Sequence, residues 1–284
     1  MIVRSFESAA NGMLALMDMN DNTANNLANV NTIGYKKGSL RFKDVMQSAV
    51  YSQEGSIIRN MNENNYLGSL SVGSQSMQYT HDFSQGALTK TSNPYDVAIE
   101  GDGFFKIQDI DGNISYTRNG SFVVDRGYWL KTKQGEFVLV DIKGQAILFQ
   151  SGIYAVLPED MEDETVFRDR KDIVIAENGN IEINSYNQKI PLQTIGIYDF
   201  SDKDDLFEIG DAKFVPRDII NNPELRSEKF SIQQGMLELS NSNVIQEMIN
   251  TINTSRNYES LTKVVSTNSD MLTTAVSVGR IRTA

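Results

Sequence analysis

Two kinds of periodicity divide this chain. From Val3, the positions Phe6, Ala10, Met13, Met17, Asn20, Ala24, Leu27 and Asn31 follow at alternating three- and four-residue steps. That spacing is the seam of a helix that packs on a partner helix. It predicts a helix within residues 1–33, with ~40 Å of seam at ~1.5 Å per residue and a left-handed stop at Gly34. The other end carries a similar pattern. Ile245, Met248, Ile252 and Ser255 keep the step, and Leu261, Val265, Asn268, Leu272, Ala275 and Gly279 resume it. Between them the phase slips by one residue around Tyr258, which reads as a stutter. Asn243 suits the N-cap, and Arg280 and Arg282 suit the negative end of the helix dipole. Residues 234–284 therefore form the second helical segment.

Between the ends the period changes to that of strands. Short apolar runs are split by Asp111-Gly112, Asn119-Gly120, Gln134-Gly135, Lys143-Gly144 and Asn178-Gly179. These pairs tolerate positive φ and mark tight hairpin turns. Residues 191–200 read as one further strand. Residues 81–233 are expected to form an antiparallel β domain with a core drawn from Val97, Ile99, Phe105, Ile107, Phe122 and Trp129. Residues 34–80, rich in Asn, Ser, Gly and Gln from residue 51 onward, read as an extended arm. The expected fold class is α+β: a discontinuous helical domain of paired, coiled-coil-like terminal helices around a β middle.

Charge sharpens that division. The 284 residues carry 37 acidic and 26 basic groups, a formal charge of −11. Residues 1–50 and 240–284 are each net +1, so the middle holds −13. An acidic surface repels phosphate backbones, which argues against nucleic acid. No run approaches the ~18 apolar residues of a membrane span. Cysteine is absent, which removes thiolate nucleophiles and thiolate metal sites. The first residues show no apolar h-region or cleavage site, so no classical signal peptide is expected.

Candidate chemistry is thin. Gly101–Phe105 ("GDGFF") lacks the helix and lysine of a phosphate loop and reads as a turn. Asp109–Asn113 ("DIDGN") begins like a calcium loop, but its sixth and twelfth positions are Ile114 and Gly120, where glycine and glutamate are needed. His81 is the lone histidine, set in a polar arm, and a zinc site or a Ser-His-Asp triad would have to be built on it alone. Carboxylates crowd at 158–172 and 199–211. A glycosidase pair could hide there, but charge runs are more often solvated loops. No catalytic, cofactor or metal residue is assigned.

The stretch "NDNTANNLANVN" (20–31) holds six asparagines in twelve residues. Asparagine is a mediocre helix former. At a seam it fixes register at a cost in stability. Asn20 and Asn31 sit on the predicted seam, while Asn22, Asn25, Asn26 and Asn29 lie off it.

Three blocks carry a family resemblance. "ANNLANVNTIGYKK" (24–37) resembles the N-terminal signature of flagellar basal-body rod and hook proteins. "FSQGALTKTSNPYDVAIEGDGFFKIQ" with "YTRNGSF" (83–108, 116–122) is similar to their middle block, and residues 234–272 to their C-terminal block. The resemblance implies a non-enzymatic axial subunit that polymerises into a hollow helical tube and transmits torque across the periplasm. It implies export by the flagellar type III apparatus without a cleaved signal. The implied partners are further copies, other rod and hook proteins, the export apparatus, a rod-cap protein and the ring bushings around the rod. A rod subunit is favoured over a hook subunit, with proximal and distal types left open. The self-assembly residues would be Phe6, Met13, Met17, Asn20, Asn26, Leu27, Asn29, Ile245, Met248, Ile252, Tyr258, Leu261, Val265 and Leu272. The competing reading is a cell-wall glycan hydrolase using a carboxylate pair.

Overall fold

The computed structural model describes residues 2–44, 47–51, 66–71, 74–124, 129–133, 138–139, 146–147, 173–185, 188–227 and 229–281. The chain is α+β, with one long helix near each end and a mostly antiparallel β middle. It separates into two compact units. One comprises residues 1–27, 38–80 and 243–284; the other comprises 28–37 and 81–242.

The first unit holds helix α1 (Ile2–Ala28) and helix α2 (Val244–Ile281). It also holds strand pairs, among them Gln47–Tyr51 with Tyr66–Ser71. Helix α1 ends at Ala28, six residues before Gly34, because the chain turns at once through a Thr32 N–H to Asn29 carbonyl bond. Gly34 does adopt positive φ, at 70°, but in the elbow beyond the helix. Asn243 caps α2 as expected, its side-chain oxygen accepting from the amides of Ile245 (2.9 Å) and Gln246 (3.3 Å).

The two helices meet. A Cβ built on Gly12 would lie 3.3 Å from Leu261 Cδ1. Leu16, Met17, Asn20 and Asp21 of α1 share one groove with Thr254, Ser255, Tyr258 and Glu259 of α2. Later positions on α1 thus face earlier positions on α2. This order brings the asparagine-rich end of α1 toward the first turns of α2.

The second unit is built on a large sheet. Along its main path the order is Leu206–Gly210, Lys213–Pro216, Ile114–Thr117, Phe104–Gln108, Val138–Leu139, Leu130–Thr132 and Phe122–Val124, with Ile197–Asp199 also paired to Phe104–Gln108. The central hairpin aligns Phe105 with Thr117 and Ile107 with Ser115, and turns at Asp109–Asn113 with Gly112 at φ 86°. The second legible hairpin aligns Ile173 with Ile183 around Gly179 at φ 87°. Asn119-Gly120 does not close a hairpin, because its flanking strands lie four places apart in the sheet. The 191–200 run splits into Gln188–Thr194 and Ile197–Asp199. The chain changes sheets there, the first piece pairing with Asn180–Ser185 and the second with the main sheet.

Two apolar clusters fill this unit. One gathers Val97, Ile99, Phe105, Ile107, Phe122, Leu130, Ile181 and Ile232 with their neighbours. The other gathers Phe104, Tyr116, Tyr198, Phe200, Leu206 and Phe214. Trp129 is only half-buried, so it borders the core it was expected to fill. His81 is buried against the edge of the Phe214 ring, 5.1 Å between centroids, and not in a polar arm. The "GDGFF" glycines make a strand-to-strand turn, with Gly101 and Gly103 at φ 104° and 123°.

Candidate assembly interface

The elbow that follows α1 is held by a buried ionic cluster. Lys36 and Glu238 are both fully buried, and the Lys36 ammonium donates to Glu238 Oε1 at 2.7 Å and to the Ser84 carbonyl at 2.7 Å. Glu238 Oε1 also accepts the Gly86 amide at 2.8 Å, and Oε2 accepts Arg118 Nη1 at 3.3 Å. Arg118 Nη2 donates to the Gly101 carbonyl at 2.8 Å, and its guanidinium lies 5.4 Å from the Phe104 ring centre. The backbone completes the knot. Gly34 N–H donates to the Glu238 carbonyl (2.8 Å), Lys37 N–H to Asn241 Oδ1 (2.8 Å), and Asp82 N–H to the Lys37 carbonyl (2.8 Å). Burial pushes the pKa of Lys36 and of Arg118 down, against the pull of Glu238. One carboxylate between two cations, with the Lys36 ammonium, both Glu238 oxygens and both Arg118 terminal nitrogens bonded, is the arrangement that makes burial of charge tolerable. It ties the segment leaving α1 to the segment entering α2.

In the helical unit, asparagine has a specific use. Asn26 is fully buried. Its amide donates to the Gly38 carbonyl and accepts from the Gly38 N–H, both at 2.9 Å, and Asn22 Nδ2 donates to the same carbonyl at 2.9 Å. Asparagine suits this task because one short side chain offers both a donor and an acceptor. The side chain expected to bond to a neighbouring subunit is thus spent on its own chain, closing the turn after α1. Asn29 accepts from Thr32 Oγ1 at 3.1 Å.

The inner line along α1 runs through Ala9, Gly12, Leu16, Met19, Thr23 and Asn26, with Ala9, Thr23 and Asn26 buried and the other three half-buried. That is the expected three-four repeat, displaced by one residue. Ala10, Met17 and Ala24, on the predicted seam, are exposed, while Phe6, Met13, Asn20 and Leu27 are half-buried. The closest approach on this line is at Gly12, where an added Cβ would lie 3.3 Å from Leu261 Cδ1.

Helix α2 departs further from expectation. Its inner line is Glu247, Thr251, Thr254, Tyr258, Leu261, Val265, Asn268 and Leu272, an unbroken repeat with no stutter at Tyr258. Of these, Leu261, Val265 and Leu272 are half-buried as the pattern implied, and Tyr258 stays exposed beside the groove. In the first turns the polar side faces in. Glu247 and Thr254 are buried, with Asn250 Nδ2 donating to Glu247 Oε2 at 3.3 Å. Ile245, Met248 and Ile252 face out, with 71%, 50% and 51% of their surface exposed, and Ile249 joins them. Positions i, i+3, i+4 and i+7 make one continuous aliphatic stripe. Periodicity alone had placed that stripe inside. On the inner side Thr254 shares the groove with Asn20 of α1.

Comparison with known proteins converges on one family. Residues 98–183 match the flagellar hook protein FlgE/F/G D1 domain, and residues 233–278 match the flagellar basal body rod FlgEFG protein C-terminal domain. The flagellar basal-body rod protein FlgG of Borreliella burgdorferi is 32% identical over 279 residues, covering 95% of this chain and 97% of that protein. The chain belongs to the flagellar basal-body rod and hook protein family. FlgG of Bacillus subtilis is 28% identical over 98% of this chain. FlgF of Caulobacter vibrioides is 28% identical over 90% of it.

The matched segments contain the features above. The C-terminal match begins just before Glu238 and includes the outward stripe of α2, while the D1 match begins at Ala98 in the core and includes Arg118. In this family member, sequence reasoning missed the ionic cluster. Its one signal was a glutamate inside the otherwise apolar "GMLEL". The suspected carboxylate run at 199–211 caps loops: Asp202 Oδ1 accepts the Asp204 amide at 3.0 Å, and Asp205 Oδ2 accepts the Asp218 amide at 3.1 Å. The 158–172 run lies outside the described residues.

Proposed function

We propose that this chain is a non-enzymatic structural subunit of the flagellar basal-body rod, of the FlgG type. The observation that carries the reading is the reversed first half of α2. A monomer gains nothing by holding an aliphatic stripe in water while burying a glutamate and a threonine behind it. A neighbouring subunit that covered Ile245, Met248, Ile249 and Ile252 would gain on the order of 1–2 kcal/mol from each, given the area still open. Such gains accumulate over every contact of a polymer. FlgG is favoured over FlgF because the Caulobacter vibrioides FlgG matches over 97% of its length and the FlgF of the same organism over 89%, at equal identity.

In this reading α1 and α2 pair as an antiparallel coiled coil and form the inner, tube-lining domain. The β unit lies outside, the tube crosses the periplasm, and the subunit is exported without a cleaved signal. Its partners are further copies and other rod and hook proteins. Phe6, Met13, Met17, Asn20, Leu27 and Asn29 contribute to assembly from the N-terminal side, with Ile245, Met248, Ile252, Tyr258, Leu261, Val265 and Leu272 from α2. The direct test is the double variant Met248→Asp, Ile252→Asp. Both sites are half-exposed in the single chain, so its circular dichroism and Trp129 fluorescence melts should match the parent. Rod formation and motility should be lost. Normal rods built from the variant would refute the proposal.

A further inference from the structure

The α1/α2 unit carries two unlike surfaces, and they fit each other. The first is the groove between the helices, about 310 Å³. Leu16, Met17 and Tyr258 supply its apolar wall, and Asp21 and Glu259 put a carboxylate on each side. That volume admits a few side chains and not a whole helix. The second is the outward stripe Ile245, Met248, Ile249 and Ile252. One turn further along the same face stands the exposed Arg256. The stripe therefore reads apolar, apolar, apolar, apolar, cation, against a groove that is apolar within and acidic at its rim. This is the pattern of a helix laid into a groove by its i, i+3, i+4 and i+7 anchors.

We propose that the stripe of α2 in one copy docks into the α1/α2 groove of a second copy, with Arg256 set between Asp21 and Glu259. This deepens the rod-subunit reading and rests on it, naming which surface of one subunit meets which surface of the next.

The absence of cysteine in the chain makes the test clean. Full-length Met17→Cys and full-length Met248→Cys are mixed at a concentration where the parent self-associates by sedimentation, then oxidised. The proposal expects a disulfide between the two variants, identified by mass spectrometry, and little of either homodimer. Arg256→Glu in the Met248→Cys chain should lower that yield about tenfold, one such factor being about 1.4 kcal/mol. Asp21→Lys with Glu259→Lys in the Met17→Cys chain should restore it. A dominant Met248→Cys homodimer, or a mixed product indifferent to charge reversal, would overturn the proposal. Self-association without the mixed disulfide would sink the groove contact alone. A parent chain that stays monomeric at every concentration would sink the rod-subunit reading with it.

Discussion

Replacing Glu238 by glutamine removes one negative charge and almost no volume. The carboxylate it removes is fully buried and is the shared acceptor for Lys36 at 2.7 Å, Arg118 at 3.3 Å and the Gly86 amide at 2.8 Å. Glutamine keeps one oxygen and turns the other position into a donor facing Arg118 or Lys36. Two buried cations are then left without a counter-charge. Breaking a buried pair by removing one partner costs about 3–5 kcal/mol. For a unit of this size each kcal/mol moves the midpoint by ~2–4 °C, so the loss should fall between roughly 6 and 20 °C. Trp129, the single tryptophan, lies in the β unit, and its fluorescence reports the transition. The triple variant Lys36→Met, Arg118→Met, Glu238→Leu is the control. It removes all three charges together, so it should recover most of the lost midpoint, because packed apolar residues replace a buried ionic group at little cost. A Glu238→Gln midpoint within 1–2 °C of the parent would refute the argument. So would a triple variant no more stable than the single one, since the destabilisation would then not come from unpaired charge.

Other sites give sharper local tests. Burial holds the His81 pKa below its ordinary value, so the unfolded chain takes up a proton first as the pH falls; stability should be full above about pH 6.5 and drop below it. Glu208, 3.7 Å away, is shifted up by its own burial and titrates in the opposite sense, so the midpoint should be compared between the parent and His81→Phe from pH 7 to 5.5, where the parent alone should fall. Asn26→Leu strips the Gly38 N–H of its acceptor, while Asn22 still serves the carbonyl; about 1–3 kcal/mol should be lost, and the Gly38 amide should exchange roughly tenfold faster or more. Gly34 (φ 70°) and Gly210 (φ 106°) both hold a backbone that strains any side chain, but only at Gly34 would a Cβ meet backbone, the Arg118 carbonyl carbon at 2.6 Å; Gly34→Ala should therefore lower the Trp129 midpoint by more than Gly210→Ala, whose Cβ meets nothing.

Much of the fold was legible because its signals are local. The three-four repeat announced both helices, and Asp111-Gly112 and Asn178-Gly179 announced two hairpins through their need for positive φ. What periodicity could not supply was the surroundings. Along α1 the apolar arc is wider than one seam, and the inner line passes through Gly12, where Leu261 comes close. In α2 the best apolar line and the buried line are different lines, since burial depends on what stands opposite. Asn119-Gly120 looked like the other turns, yet its strands find partners elsewhere in the sheet. The ionic cluster joins residues 202 and 120 positions apart, and no local pattern relates them. His81 reads as polar by its neighbours in sequence and is enclosed by aromatic rings from other strands.

These failures have a common direction. The inner lines of α1 and α2 mix alanine, glycine, threonine, asparagine and a glutamate with Leu16, Met19, Leu261, Val265 and Leu272. The further apolar side chains Leu14, Met17, Ile245, Met248, Ile249 and Ile252 remain outside. By contrast the β unit closes its aromatic and aliphatic clusters within itself and pins both chain crossings with a buried charge cluster. On the proposed rod-subunit reading, the sequence divides its driving force between a part that is complete as one chain and a part completed by other copies. A periodicity read for a single chain would then misplace the second kind of residue in particular, because its partner is not in the chain being read.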